Sequence, residues 1–227
     1  MTKTRTDLSP APGPSSNCGP RRGDAKPSLV VLHYTAMPGL AEARARLCDP
    51  ASEVSAHYLI AENGRAEALV PEELRAWHAG AGGWGGIDDV NSHSIGIELC
   101  NPGDSPFPEP QIAALERLLA EVMARWSIRP ERVIGHSDMA PERKRDPGPF
   151  FDWRRLAALG LSVWPEDGGE AKTPFATSVR AFGYPDAPKA ALLDAFRLRF
   201  RPWAKGPEDA TDRSLAANLA RRFGGNA

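Results

Sequence analysis

Leu29-Val30-Val31-Leu32-His33-Tyr34 is a short apolar run closed off by Pro27 before it and Pro38 after it. Four consecutive aliphatic residues leave no polar face for water, so the run reads as a central strand buried on both faces. His33 falls at its end. Downstream, residues 41–48 have the spacing of a short helix, and Ala56 to Ala61 reads as a second strand. A turn at Asn63-Gly64 then leads to a third strand around Glu67 to Val70, a hairpin signal. Residues 76–93 form a Gly-rich loop carrying His78, Trp84 and His93. Ser94 to Leu99 alternates as a strand should, with Ile95, Ile97 and Leu99 on one face and Gly96 and Glu98 on the other. From Pro110 to Trp126, the positions Ile112, Leu115, Leu119, Val122, Met123 and Trp126 follow helical spacing. Arg132 to Gly135 is another short strand, followed by a Pro-braced loop from Ser137 to Pro149. Strands interleaved with helices give an α/β domain over residues 28–165.

The flanks read differently. Residues 1–27 are rich in Pro, Gly and Ser and are expected to form an N-terminal arm that lies on the surface or is partly disordered. Residues 166–174 read as a linker, and 175–227 as a small helical module with helical spacing at Ala190 to Phe200 and Asp212 to Phe223. A net charge of −1 with scattered Lys and Arg excludes the basic stripe that nucleic-acid binding needs. Cys18, Cys48 and Cys100 are odd in number and form no CxxC pair, which argues against a disulfide framework and a thiolate metal site. Neither a signal peptide nor a membrane-spanning run is visible, so the expected location is the cytoplasm, with periplasm or envelope as the alternative.

His33 and His136 both fall at the C-terminal ends of expected buried strands, and Asp146 lies ten positions beyond His136. Two imidazoles and a carboxylate would make a three-ligand set that leaves the fourth tetrahedral position of Zn²⁺ free for water. Spacing this long is weak by itself. The segments Val31-Leu32-His33-Tyr34-Thr35, Ser55-Ala56-His57-Tyr58, Trp77-His78-Ala79-Gly80, Ser94-Ile95-Gly96-Ile97-Glu98-Leu99, Gly135-His136-Ser137-Asp138 and Arg143-Lys144-Arg145-Asp146-Pro147-Gly148 supply what spacing lacks. In that order they resemble the motifs of the zinc-dependent N-acetylmuramoyl-L-alanine amidases, over roughly residues 17 to 160.

The resemblance implies a mixed sheet flanked by helices, with zinc held by His33, His136 and Asp146. It implies hydrolysis of the amide between the muramoyl, or 1,6-anhydro-muramoyl, lactyl group and L-alanine. Relatives in the recognition and phage branches carry a cysteine as third ligand and a tyrosine where this chain has Ala56; Asp146 and Ala56 resemble the cell-wall recycling branch, with Glu98 taking the tyrosine's task. Glu98 is then the proton-transfer group and Lys144 the oxyanion stabiliser. Gly96, on the same face as Glu98, reads as room for a close approach. Thr35, His57, His78 and Trp84 are candidates for substrate contact, with a structural role as the alternative for His57, and His93 reads as structural. The tail resembles a three-helix peptidoglycan-binding module, against the alternative of a helical cap. The partners implied are muropeptides, with no nucleic acid and no membrane insertion. Two other functions stay open: a peptidoglycan-binding protein without chemistry, and a zinc peptidase acting within the stem peptide.

Overall fold

The computed structural model describes residues 8–10, 15–166 and 172–225. Its strands are β1 (Leu8–Pro10), β2 (Cys18–Pro20), β3 (Leu29–Tyr34), β4 (Tyr58–Ile60), β5 (Ala66–Ala68), β6 (Leu74–Ala76), β7 (Ser94–Leu99) and β8 (Val133–Gly135). The helices are α1 (Leu40–Cys48), α2 (Val90–His93), α3 (Glu109–Trp126), α4 (His136–Met139), α5 (Trp153–Ala158), α6 (Phe175–Phe182), α7 (Lys189–Phe200) and α8 (Ala210–Phe223). Six strands form a mixed sheet in the order β1-β5-β4-β7-β3-β8, and β2 pairs antiparallel with β6 beside it. Within the large sheet, β4, β7, β3 and β8 run parallel, while β4 and β5 form the antiparallel hairpin.

Strand alternation sorts β3 between two cores. Val30 and Leu32 join Ile95, Ile97 and Leu99 against Ile112, Leu115 and Leu119 of α3, with Trp153 and Leu156 of α5 closing that layer. Leu29 and Val31 face the opposite way, into a cluster with Ile134, Phe175, Val179, Phe196 and Leu219. The last three helices therefore pack directly on the sheet and share its core. The helix α6 went unread in the sequence, although Phe175, Val179 and Phe182 carry an i, i+4, i+7 signal.

The tail is also tied in by charge. Arg199 of α7 pairs with Asp138 of α4 at 2.7 Å, both side chains 1% exposed. The Arg199 guanidinium lies 4.3 Å from the centroid of the Trp153 ring, and the Tyr184 hydroxyl donates to the second Asp138 oxygen at 2.5 Å. Asp138 Oδ2 also accepts from the Gly135 N–H at 2.8 Å, so one carboxylate joins β8, α4 and the tail.

Residues 15–27 differ from the expected surface arm. Ser15 and Asn17 are buried, and their side chains donate to the carbonyls of Leu47, Asp49 and Val54. Arg21 donates to the carbonyls of Glu72, Ser92 and Ser94. Pro, Gly and Ser signal a lack of apolar drive, but a polar chain that satisfies buried carbonyls becomes structural without it. The first seven residues of the arm, residues 11–14 and residues 167–171 of the linker lie outside the described residues. No helix among the described residues is long and apolar enough to cross a membrane.

Candidate active site

In the parallel pairing of β3 and β7, Val31 stands beside Gly96 and His33 beside Glu98, so both polar side chains leave the same face at the C-terminal ends of two adjacent strands. Loop ends at that edge are where α/β sheets place their sites. His136 opens α4, directly after β8. Asp146 arrives from the following loop, held there because its carbonyl accepts from the Ser137 N–H at 2.9 Å.

Three donor atoms converge. His33 Nδ1 lies 3.0 Å from His136 Nδ1 and 2.9 Å from Asp146 Oδ2, and His136 Nδ1 lies 3.0 Å from the same oxygen. All three residues are buried, and together they could hold a metal ion. Burial, with neighbouring His136, pushes the His33 imidazole down to about 4 despite the opposing Asp146. Burial would raise the Asp146 carboxyl, but hydrogen-bond-distance contacts with His136 and His33 hold it below its ordinary value. A neutral imidazole and an ionised carboxylate are the forms in which these groups bind a cation. His136 Nε2 faces the Ala79 carbonyl at 2.8 Å, which leaves its Nδ1 bare toward His33 and Asp146. The donor set thus fits a divalent metal with nitrogen and oxygen preference, as zinc has.

Glu98 borders the same cavity of about 450 Å³ as the triad, Lys144 and Arg143. Its Oε2 is buried without a hydrogen-bond partner. Burial and the nearby Asp146 carboxylate push the Glu98 carboxyl up to about 8, against the opposing Lys144. The strand that carries Glu98 is an interior one, between β4 and β3. Thr35 also lines the cavity.

Two of the expected substrate contacts are elsewhere. His57 is fully buried; Gly96 N–H donates to its Nδ1 at 2.9 Å, and its Nε2 meets the Leu74 carbonyl at 3.1 Å. Both ring nitrogens are spent on backbone. Trp84 is 1% exposed and packs against Phe182 and Tyr184, so its large ring anchors the tail rather than a ligand. His78 borders the cavity, but its ring nitrogens engage His33 and Ser94. Gly96 does mark a close approach, and what approaches is the His78 ring: a Cβ there would lie 2.5 Å from its carbons. The groups that sequence reading missed are Asn91, Ser94 and the Ala79 carbonyl. Ser94 and Ala79 each lie in a quoted motif segment, Ser94 to Leu99 and Trp77 to Gly80, whereas Asn91 had no signal.

The sequence pattern of the N-acetylmuramoyl-L-alanine amidase family matches residues 23–149, a stretch that holds His33, Glu98, His136, Lys144 and Asp146. The chain is similar to the N-acetylmuramoyl-L-alanine amidase AmiD of Escherichia coli (strain K12), with 36% identity over 232 residues covering 86% of this chain and 83% of the relative. It is also similar to the 1,6-anhydro-N-acetylmuramyl-L-alanine amidase AmpD of Enterobacter cloacae, with 34% identity covering 67% of this chain and 90% of the relative. Among solved structures, the complex of AmiD from E. coli with the substrate anhydro-N-acetylmuramic acid-L-Ala-D-gamma-Glu-L-Lys superposes with a TM-score of 0.79 at 34% identity, covering 92% of this chain and 93% of that one.

Proposed function

The chain belongs to the N-acetylmuramoyl-L-alanine amidase family, and from that premise we propose that it hydrolyses the amide joining the muramoyl lactyl group to L-alanine of the stem peptide, using zinc held by His33, His136 and Asp146. The observation that carries this reading is the convergence of His33 Nδ1, His136 Nδ1 and Asp146 Oδ2 beside a buried carboxylate oxygen of Glu98 that has no partner of its own. A bound zinc ion supplies Lewis-acid polarisation of the scissile carbonyl and lowers the pKa of a water. Glu98 accepts the proton of the attacking water. The protonated carboxyl then returns that proton to the departing amine, without which an amide does not part. Lys144, on the cavity wall, stabilises the negative charge that gathers on the carbonyl oxygen.

The intact set of donors and the proton-transfer carboxyl argue against a binding protein without chemistry. Muropeptides, including the 1,6-anhydro form, are the ligands of choice to test, since the AmiD complex contains such a fragment. Mass spectrometry of products from an anhydro-muropeptide and from polymeric peptidoglycan checks the assignment. The expected products are a free muramoyl acid and a stem peptide beginning with L-alanine. Shortened stem peptides still attached to the sugar would instead mark a peptidase.

A further inference from the structure

Neither metal-facing histidine sets its own tautomer, and the groups that do so come from one dipeptide, His78-Ala79. An imidazole binds a cation through a nitrogen without a proton, so the proton has to be kept on the other ring nitrogen. For His136 that nitrogen is Nε2, 2.8 Å from the Ala79 carbonyl, which can only accept. For His33 the chain is longer. Ser94 Oγ donates its single proton to the Val90 carbonyl at 2.6 Å, so toward His78 Nε2, 3.1 Å away, it can only accept. His78 therefore carries its proton on Nε2 and offers a bare Nδ1 to His33 Nε2 at 3.0 Å. His33 must donate there, and its Nδ1 is left bare toward His136 and Asp146.

The dipeptide is itself clamped. Asn91 Oδ1 accepts from the backbone N–H of His78 at 3.0 Å and of Ala79 at 2.9 Å. Underneath, Gly96 leaves room for the His78 ring. The ring meets His33 edge-on, with centroids 5.1 Å apart.

On the reading that the triad binds zinc, we propose that His78 is a positioning residue: seated on Ser94, it fixes the tautomer of His33 and thereby sets the affinity of the triad for its metal. The test compares His78→Leu with His78→Asn in the full chain. The two side chains have nearly the same shape, but only Asn can accept from His33 Nε2. Zinc affinity is measured by chelator competition without substrate, and the melting of the metal-free protein is followed in parallel. Loss of an outer-shell partner weakens metal binding about 10–100-fold, so that loss is expected for Leu, with Asn recovering most of it. Ser94→Ala, which keeps the ring, is expected to weaken zinc binding several-fold with little effect on melting. Equal zinc affinity in the Leu and Asn variants would overturn the assignment, as would parental affinity in Ser94→Ala. A parent chain that binds zinc yet cleaves no muramoyl amide would contradict the proposed function and leave the role of His78 standing.

Discussion

Glu98 and His33 are neighbours because β3 and β7 are parallel and in register, and that single pairing puts the proposed proton-transfer group next to a proposed metal ligand. The carboxyl is tuned by the place it occupies. Burial raises it to about 8, and its Oε2 has no hydrogen bond to compete with a substrate or water. Glu98→Gln keeps the size and removes the titrating group. Positioned acid–base catalysis contributes about 10²–10⁴-fold, so kcat is expected to fall by that factor while the zinc content stays at the parental level. Single-turnover kinetics paired with metal analysis would check this, and near-parental turnover in a zinc-loaded variant would require another base. The neighbouring Gly96 shows how a residue can be read correctly for the wrong partner. Its missing side chain implied a close approach, but the visitor is an imidazole from sixteen residues before Ser94, a contact only the tertiary fold reveals.

At the scale of elements, β3 carried its fold in its sequence. Leu29 and Val31 alternate with Val30 and Leu32 between two apolar layers, as a continuous aliphatic run requires. The loop elements were less legible, because their order comes from polar bonds with no periodicity. The short helix α4 places His136, and its geometry rests on Asp138, which caps Gly135 and receives Arg199 and Tyr184 from the tail. Arg199→Met leaves a buried carboxylate without its cation, a loss that typically costs about 3–5 kcal/mol. Urea denaturation is expected to show a clear drop in midpoint, carried by the whole chain. A midpoint equal to that of the parent would mean that the pair contributes nothing to holding α4.

Over the whole molecule, the catalytic segments and the last three helices form one body. Phe175, Val179, Phe196 and Leu219 meet Leu29, Val31 and Ile134 in a shared core, so the tail braces the sheet beneath the site. Any contact of the tail with peptidoglycan would have to use its outer surface. The convergence of His33, His136 and Asp146 was legible because each sits in a motif segment at a strand or loop end. The bracing by Arg21, Asn91 and Arg199 was not, since charged and polar residues in a sequence look solvated until their partners are known. The proposed function rests on one cation held by His33, His136 and Asp146 and used to cleave the muramoyl–L-alanine amide. Stripping the protein with a chelator and titrating zinc back against cleavage of a soluble muramoyl peptide tests both parts together. Activity is expected to be absent in the stripped protein and to rise linearly to a break at one zinc per chain, with no recovery in His136→Ala; full cleavage by the metal-free chain would contradict the account.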